Sequence, residues 1–157
     1  MISDTLLLIL AWGITSVLLL LYVPKEKIRE SFVIFMFKQL MTWLIGLVVA
    51  ELKLLEYPIR SFAYATKASF DFEYFFYPSF CVLFNLYYPE GKRISQQILY
   101  YFYYCTVLTM IEVLVEKYTN ILEYLNWTWY ITYISFAITF YLSHLFYRWF
   151  FKIDNNN

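Results

Sequence analysis

The sequence predicts an all-α fold, an integral membrane bundle of five transmembrane helices forming a single domain over residues 1–157. Three observations predict it. Hydrophobic residues make up 62% of the chain and charged residues 15%. A soluble domain carries roughly 45–50% and 25%, so too few polar groups exist here to cover a water-facing surface. Five apolar runs recur along the chain, each close to the roughly 20 residues a helix needs to cross a hydrocarbon core of about 30 Å. The connections between most of them are short, which leaves no space for a soluble domain. With three Gly and four Pro the chain is neither collagen-like nor linker-rich, and its apolar content excludes intrinsic disorder.

The first span is read at 6–23, a run without a charge, and Pro24 ends it because proline lacks an amide donor and disfavours helix in the residue before it. It is expected to be retained rather than cleaved: the residues before it hold Asp4 and no Lys or Arg, the reverse of a signal peptide, and the basic cluster Lys25, Lys27 and Arg29 lies behind it. The second span is read at 31–50, interrupted by Lys38 and Gln39, and the third at 70–88, with Asp71 and Glu73 at its start and Pro78 inside. The fourth is read at 96–115 and contains Glu112. The fifth, at 128–151, carries His144 and Arg148 near its end. Barrel strands would be about half as long and would alternate in polarity. Residues 51–69 are long enough for an interfacial segment, with Tyr57, Phe62, Tyr64 and Phe70 suited to the headgroup layer. Pro78 is expected to kink the third span and free carbonyls near Cys81. Asn155–Asn157 is read as a frayed tail.

Positive residues orient the chain, because short cytoplasmic loops retain them. With the N-terminus outside, Lys25, Lys27, Arg29, Lys92, Arg93, Arg148 and Lys152 fall inside, and Lys53, Arg60, Lys67 and Lys117 outside. The expected placement is therefore a multi-pass cell-membrane protein with an outer N-terminus and a cytoplasmic C-terminus. Its partners are the lipid bilayer and either further copies of itself or another membrane protein. Twelve basic residues against twelve acidic ones give no global field for nucleic acid.

Ionisable groups in lipid are costly, so each is a candidate site. Glu112 lies about 24 Å up the fourth helix by helical rise, where a short carboxylate cannot reach the rim. On its face run Cys105, Thr109, Glu112, Glu116 and Thr119, at spacings that share one side of a helix. The second span offers Gln39, Thr42, Gly46, Ala50 and Lys53, and the fifth Thr132, Ser135, Thr139 and Ser143. The stripes serve either as packing glue or as a hydrogen-bonded core. Glu51, Asp71, Glu73, Glu112 and Glu116 map near one outer level, a candidate cation or proton site; pairing with Lys53 and Lys117, or failure to converge, are the alternatives. Lys38, Asn85, His144 and Arg148 form the candidate inner polar set, with Lys38 able to snorkel from about 10 Å depth and His144 and Arg148 on one face as a solvated helix end or a phosphate contact. The 38 aromatic residues are assigned to interfacial anchoring and packing, since Tyr100, Tyr101, Tyr103 and Tyr104 circle their helix.

Catalytic templates are absent from the sequence. There is no Walker loop, G-x-S-x-G or H-E-x-x-H, adjacent Ser143 and His144 point apart, and one His with two Cys cannot compose a zinc site. No catalytic residue, resident metal or cofactor is expected, and Cys81 and Cys105 are read as buried filler lying close together. The chain resembles a family of small uncharacterised multi-pass membrane proteins of spore-forming Gram-positive bacteria. The residues that carry the resemblance are Pro24-Lys-Glu-Lys-Ile-Arg, Glu51 with Glu56-Tyr-Pro, Phe70-x-Phe-Glu73-x-Phe-x-Tyr77-Pro78, Phe84-Asn85-x-x-Tyr88-Pro89, Glu112-x-x-x-Glu116-Lys-Tyr-Thr and Asn126-Trp-x-Trp. The resemblance implies a helical bundle in the plasma membrane and carries no activity. The functional expectation is a non-enzymatic structural or partner-binding membrane component, with a small transporter or channel subunit using the outer carboxylates as the alternative.

Overall fold

In the computed structural model, residues 3–153 are described; the expected tail at 155–157 lies outside them. They form five α-helices: α1 (Asp4–Tyr22), α2 (Ile28–Glu51), α3 (Tyr77–Leu86), α4 (Ile94–Tyr118) and α5 (Trp129–Phe151). Each matches one of the five apolar runs. Three, α1, α2 with the 3-10 turn before it, and α4, are long and apolar enough to cross a membrane. α5 has spanning length, about 34 Å by helical rise, but is rich in Tyr and Trp. α3 is shorter, preceded by a π-helical segment, Phe70–Phe76; together they rise no more than about 25 Å.

Local chemistry sets the boundaries. Val23 is extended (φ −87°, ψ 112°) ahead of Pro24, which ends α1. Gly91 takes a left-handed φ of 71° in the tight turn between α3 and α4. The Ser69 hydroxyl accepts the Phe72 amide at 3.3 Å and starts the π-helical segment. That segment ends where the Tyr77 amide reaches back five residues to the Phe72 carbonyl.

Consecutive helices run in opposite directions, so the bundle has two ends. At the first, Asp4 accepts hydrogen bonds from the Asn120 backbone and side-chain amides, both 3.2 Å. Residues 52–69 and 119–128 fold over this end as a cap, joined by a two-residue antiparallel ribbon of β1 (Leu55–Glu56) and β2 (Glu123–Tyr124), in register Leu55↔Tyr124. The cap fills the depth that short α3 leaves open. At the other end, the Tyr87 hydroxyl donates to the Tyr22 carbonyl at 2.7 Å.

α2 is central, against α3, its π-helical lead-in and α5; α4 lies on α5, and α1 on α3. Two apolar clusters result. One holds Ile34, Cys81, Phe84, Cys105 and Phe140, the other Leu8, Val49, Leu55, Phe72 and Ile121. Along α2 the residues between Ile34 and Val49 that turn inward are polar or small: Lys38, Gln39, Thr42 and Gly46. The outer surface is the reverse, with Leu20, Leu21, Ile94 and Trp149 each more than 70% exposed. Apolar side chains outside and charged ones inside is the distribution that lipid-facing helices require.

Three expectations change. Tyr57 is buried instead of lying in a headgroup layer, because its hydroxyl turns in to an acid while Phe62 and Tyr64 stay exposed. Lys38 does not snorkel; it is fully buried, since Thr139 supplies an acceptor at depth. The carbonyls affected by Pro78 are those of Glu73 and Tyr74, upstream of it, because a missing amide deprives the residues four or five positions earlier.

Candidate functional site

Two of the five outer carboxyls meet. Glu73, on the π-helical segment, and Glu112, on α4, line a single cavity of about 60 Å³ between α2, α4, α5 and the cap, with Thr42, Tyr57, Thr132 and Thr139 also on its wall. This is room for a few waters. Both acids are buried.

Three hydroxyls serve Glu112. Tyr77 donates to Oε2 at 2.6 Å, and Tyr124 and Thr132 donate to Oε1 at 3.0 and 2.7 Å. The Trp127 indole donates to Thr132 Oγ1 at 2.7 Å, orienting that hydroxyl toward the acid. A carboxyl receiving three donors is acting as an acceptor only, the pattern of a carboxylate. Glu73 Oε1 receives the Tyr57 hydroxyl at 3.1 Å. Burial, and after it the two carboxyls, push the Tyr57 hydroxyl well above its ordinary value near 10. Burial and then Glu112 act on Tyr124 in the same direction. Both cap phenols therefore remain donors at neutral pH.

The position of Glu73 depends on α2. A Cβ at Gly46 would stand 2.7 Å from Glu73 Cγ and 2.8 Å from Cδ, so the acid occupies the space a side chain would take. The Thr42 hydroxyl donates to the Glu73 carbonyl at 2.6 Å, and the Gln39 amide donates to the Tyr74 carbonyl at 2.9 Å. These are the carbonyls without a Pro78 amide, and α2 satisfies them. Lys38, one turn from Thr42 on the same face, donates to Thr139 Oγ1 at 2.6 Å and lies 4.5 Å from the Phe140 ring centre.

The other outer acids are elsewhere. Asp71 is buried with its own donors: Trp12 Nε1 at 2.9 Å and the Ser61 hydroxyl and amide at 2.9 and 3.0 Å. Glu51 is exposed and pairs with Lys67 at 3.0 Å, both side chains being about 70% exposed, an arrangement of little energetic value. Glu116 is half-buried, one turn from Glu112 and outside the cavity lining.

Three of the inner candidates converge. His144 Nδ1 lies 3.0 Å from Asn85 Oδ1, and Asn85 Nδ2 donates to the Cys81 carbonyl at 2.9 Å. His144 Nε2 is 3.1 Å from Glu90 Oε1, and Arg148 Nε is 3.9 Å from the same atom. Lys38 belongs to the middle of the bundle instead. Cys81 donates to Ser143 Oγ at 3.0 Å and shares an apolar cluster with Cys105.

Sequence reasoning missed Tyr57, Tyr77, Tyr124 and Glu90. The signal available for the tyrosines was depth: Tyr77 and Glu112 stand at one level on neighbouring helices. Glu90, in a seven-residue connection, had only its place at the same end as His144. Compared with family models, with curated proteins and with solved structures, the chain matches none of them.

Proposed function

We propose that the protein is a five-span cell-membrane protein that takes up a proton at the Glu73–Glu112 pair, acting as a small transporter or channel subunit. One observation carries this reading: two buried carboxyls line one cavity whose wall holds no basic side chain, Lys38 reaching it only through Thr139, so at least one carboxyl has no counter-charge there. An unmatched buried carboxyl takes a proton or a cation. The hydroxyl donors already aimed at the Glu112 oxygens occupy the lone pairs a hard cation would need and hold that acid as a carboxylate, which leaves the proton to Glu73.

Crossing by α3 and α5 as well as the three apolar helices, an outer cap and a cytoplasmic C-terminus are part of the proposal. Supporting the orientation, seven Lys and Arg lie toward the Arg148 end and four toward the cap. Membership of the resembled family, the absence of a catalytic activity and a bilayer partner complete it. The test is proton flux in proteoliposomes under an imposed pH gradient. Glu73→Gln and Glu112→Gln are expected to abolish it while the protein remains folded; flux equal to that of the native chain in both variants overturns the reading.

The second reading is a non-enzymatic, partner-binding component. It is favoured by the apolar groove between α2 and α5, with Phe32, Met36, Leu40 and Phe150 on its walls. Crosslinked dimers through this groove, with no flux in the native protein, would decide for it.

A further inference from the structure

The end of the bundle opposite the cap holds a hydrogen-bond arrangement that counts protons. Asn85 Nδ2 faces the Cys81 carbonyl, which can only accept, so the amide cannot be turned round and Oδ1 must face His144. Nδ1 of His144 therefore carries a hydrogen. On the other side of the ring, Nε2 lies 3.1 Å from Glu90 Oε1. A carboxylate only accepts, so this contact is a hydrogen bond only with a proton on Nε2 too. The ring contacts on both sides are those of an imidazolium.

We infer that His144, clamped between Asn85 and Glu90, is a second proton-binding station at the Arg148 end, from which a proton taken up at Glu73–Glu112 leaves. The inference rests on the proton-uptake reading and gives it an exit. The route is along α5: Thr132 at Glu112, Thr139 at Lys38, Ser143 at Cys81 and then His144, with Thr139 and Ser143 one turn apart on one face. Asn85 Nδ2 also lies 3.4 Å from Cys81 Sγ, joining the Ser143 and His144 contacts.

The groups around the ring set the balance. Glu90 from the α3–α4 connection and the Asn85 oxygen from α3 favour the second proton, while burial and the Arg148 guanidinium oppose it. Tyr88 packs on the ring with centres 4.0 Å apart, and Tyr147 on the next turn donates to Glu30 of α2 at 2.7 Å, itself 3.5 Å from Lys27. When the proton leaves, a bare Nε2 lone pair faces the carboxylate, and Glu90 keeps only its longer contact to Arg148 on α5.

The chain has one histidine, so histidine-selective nitrogen-15 labelling of the whole protein gives the spectrum of this ring alone. At pH 7 both ring nitrogens are expected to be protonated in the native protein, and Nε2 unprotonated in Glu90→Gln. A native ring with either nitrogen bare at pH 7 overturns the inference, whether or not any variant folds. Proteoliposome flux separates the two ideas. Loss of flux in His144→Gln supports the exit, and flux that needs Glu73 but not His144 overturns it. A doubly protonated ring in a protein without flux overturns transport, and the exit with it, while leaving the proton pair standing.

Discussion

Gly46 shows how one missing side chain places a charge. Its Cα–H faces Glu73 so closely that a methyl group would collide with Cγ and Cδ. Gly46→Ala is expected to cost about 1–3 kcal/mol through overpacking and to push the carboxyl off Tyr57. Most of that cost should vanish on a Glu73→Ala background, a coupling that a double-mutant cycle of detergent-phase unfolding measures. Tyr57 makes a pH prediction at the same place. Its hydroxyl is held above the ordinary value in the folded protein, so the neutral phenol is favoured by folding. That contribution is complete below about pH 10, where the unfolded phenol begins to ionise, and is lost as pH climbs further. Native protein should thus lose stability above pH 10 more steeply than Tyr57→Phe in matched unfolding curves. Neither partner of Glu73 was readable as such: Gly46 stood out as a small-residue contact, and Tyr57 looked like a surface anchor. Both assignments used chemistry averaged over lipid-exposed helices, whereas the cap puts Tyr57 underneath a roof.

Among the elements, the junction of the π-helical segment with α3 is the most informative. Pro78 removes an amide, and α2 replaces it with Thr42 and Gln39. Thr42→Val should cost about 1–3 kcal/mol by leaving the Glu73 carbonyl short of a donor. In a Pro78→Ala background the same substitution should cost measurably less, because the backbone can then supply the bond; equal costs in both backgrounds would show that the hydroxyl has another role. The five helices were legible from run length and from Pro24, since burial of backbone polar groups in lipid leaves helices as the natural solution. The π-helical winding was not, because its cause lies in a neighbouring helix: carbonyls are released only where α2 has side chains to receive them. Periodicity within one segment carries no record of that.

For the whole molecule, the two ends differ in cover and in charge. The cap roofs the Glu73–Glu112 cavity, while the opposite end has short connections and the larger share of Lys and Arg. In sealed cells, Ala63→Cys on the cap is expected to react with a membrane-impermeant maleimide and Lys92→Cys only after permeabilisation. The native thiols at Cys81 and Cys105 are buried and should stay silent in both cases, giving a clean background. The reverse pattern would invert the orientation, and labelling of both in sealed cells would remove α3 as a span. The stripes of α2, α4 and α5 were visible in the sequence as polar faces, and they do meet in space. What a stripe cannot say is which acids of one level share a cavity: Asp71 and Glu73, two residues apart, face away from each other, and the packing of α1 and the cap gives Asp71 to Trp12 and Ser61 and gives Glu73 to Tyr57.

The π-helical winding of Phe70–Phe76 makes that segment unusually sensitive to length. An α-helix turns about 100° for each residue, and a π-helical turn holds an additional residue for the same advance. Excising Phe72 would let the segment relax to ordinary pitch without disturbing α3 below it, but Glu73, five residues before Pro78, would swing about a quarter-turn around the axis while positions beyond the cut kept nearly their facing. The acid now aimed at the centre would face elsewhere, although Asp71 kept its indole. Chains of this kind should therefore tolerate substitutions in that stretch far better than any change in its residue count.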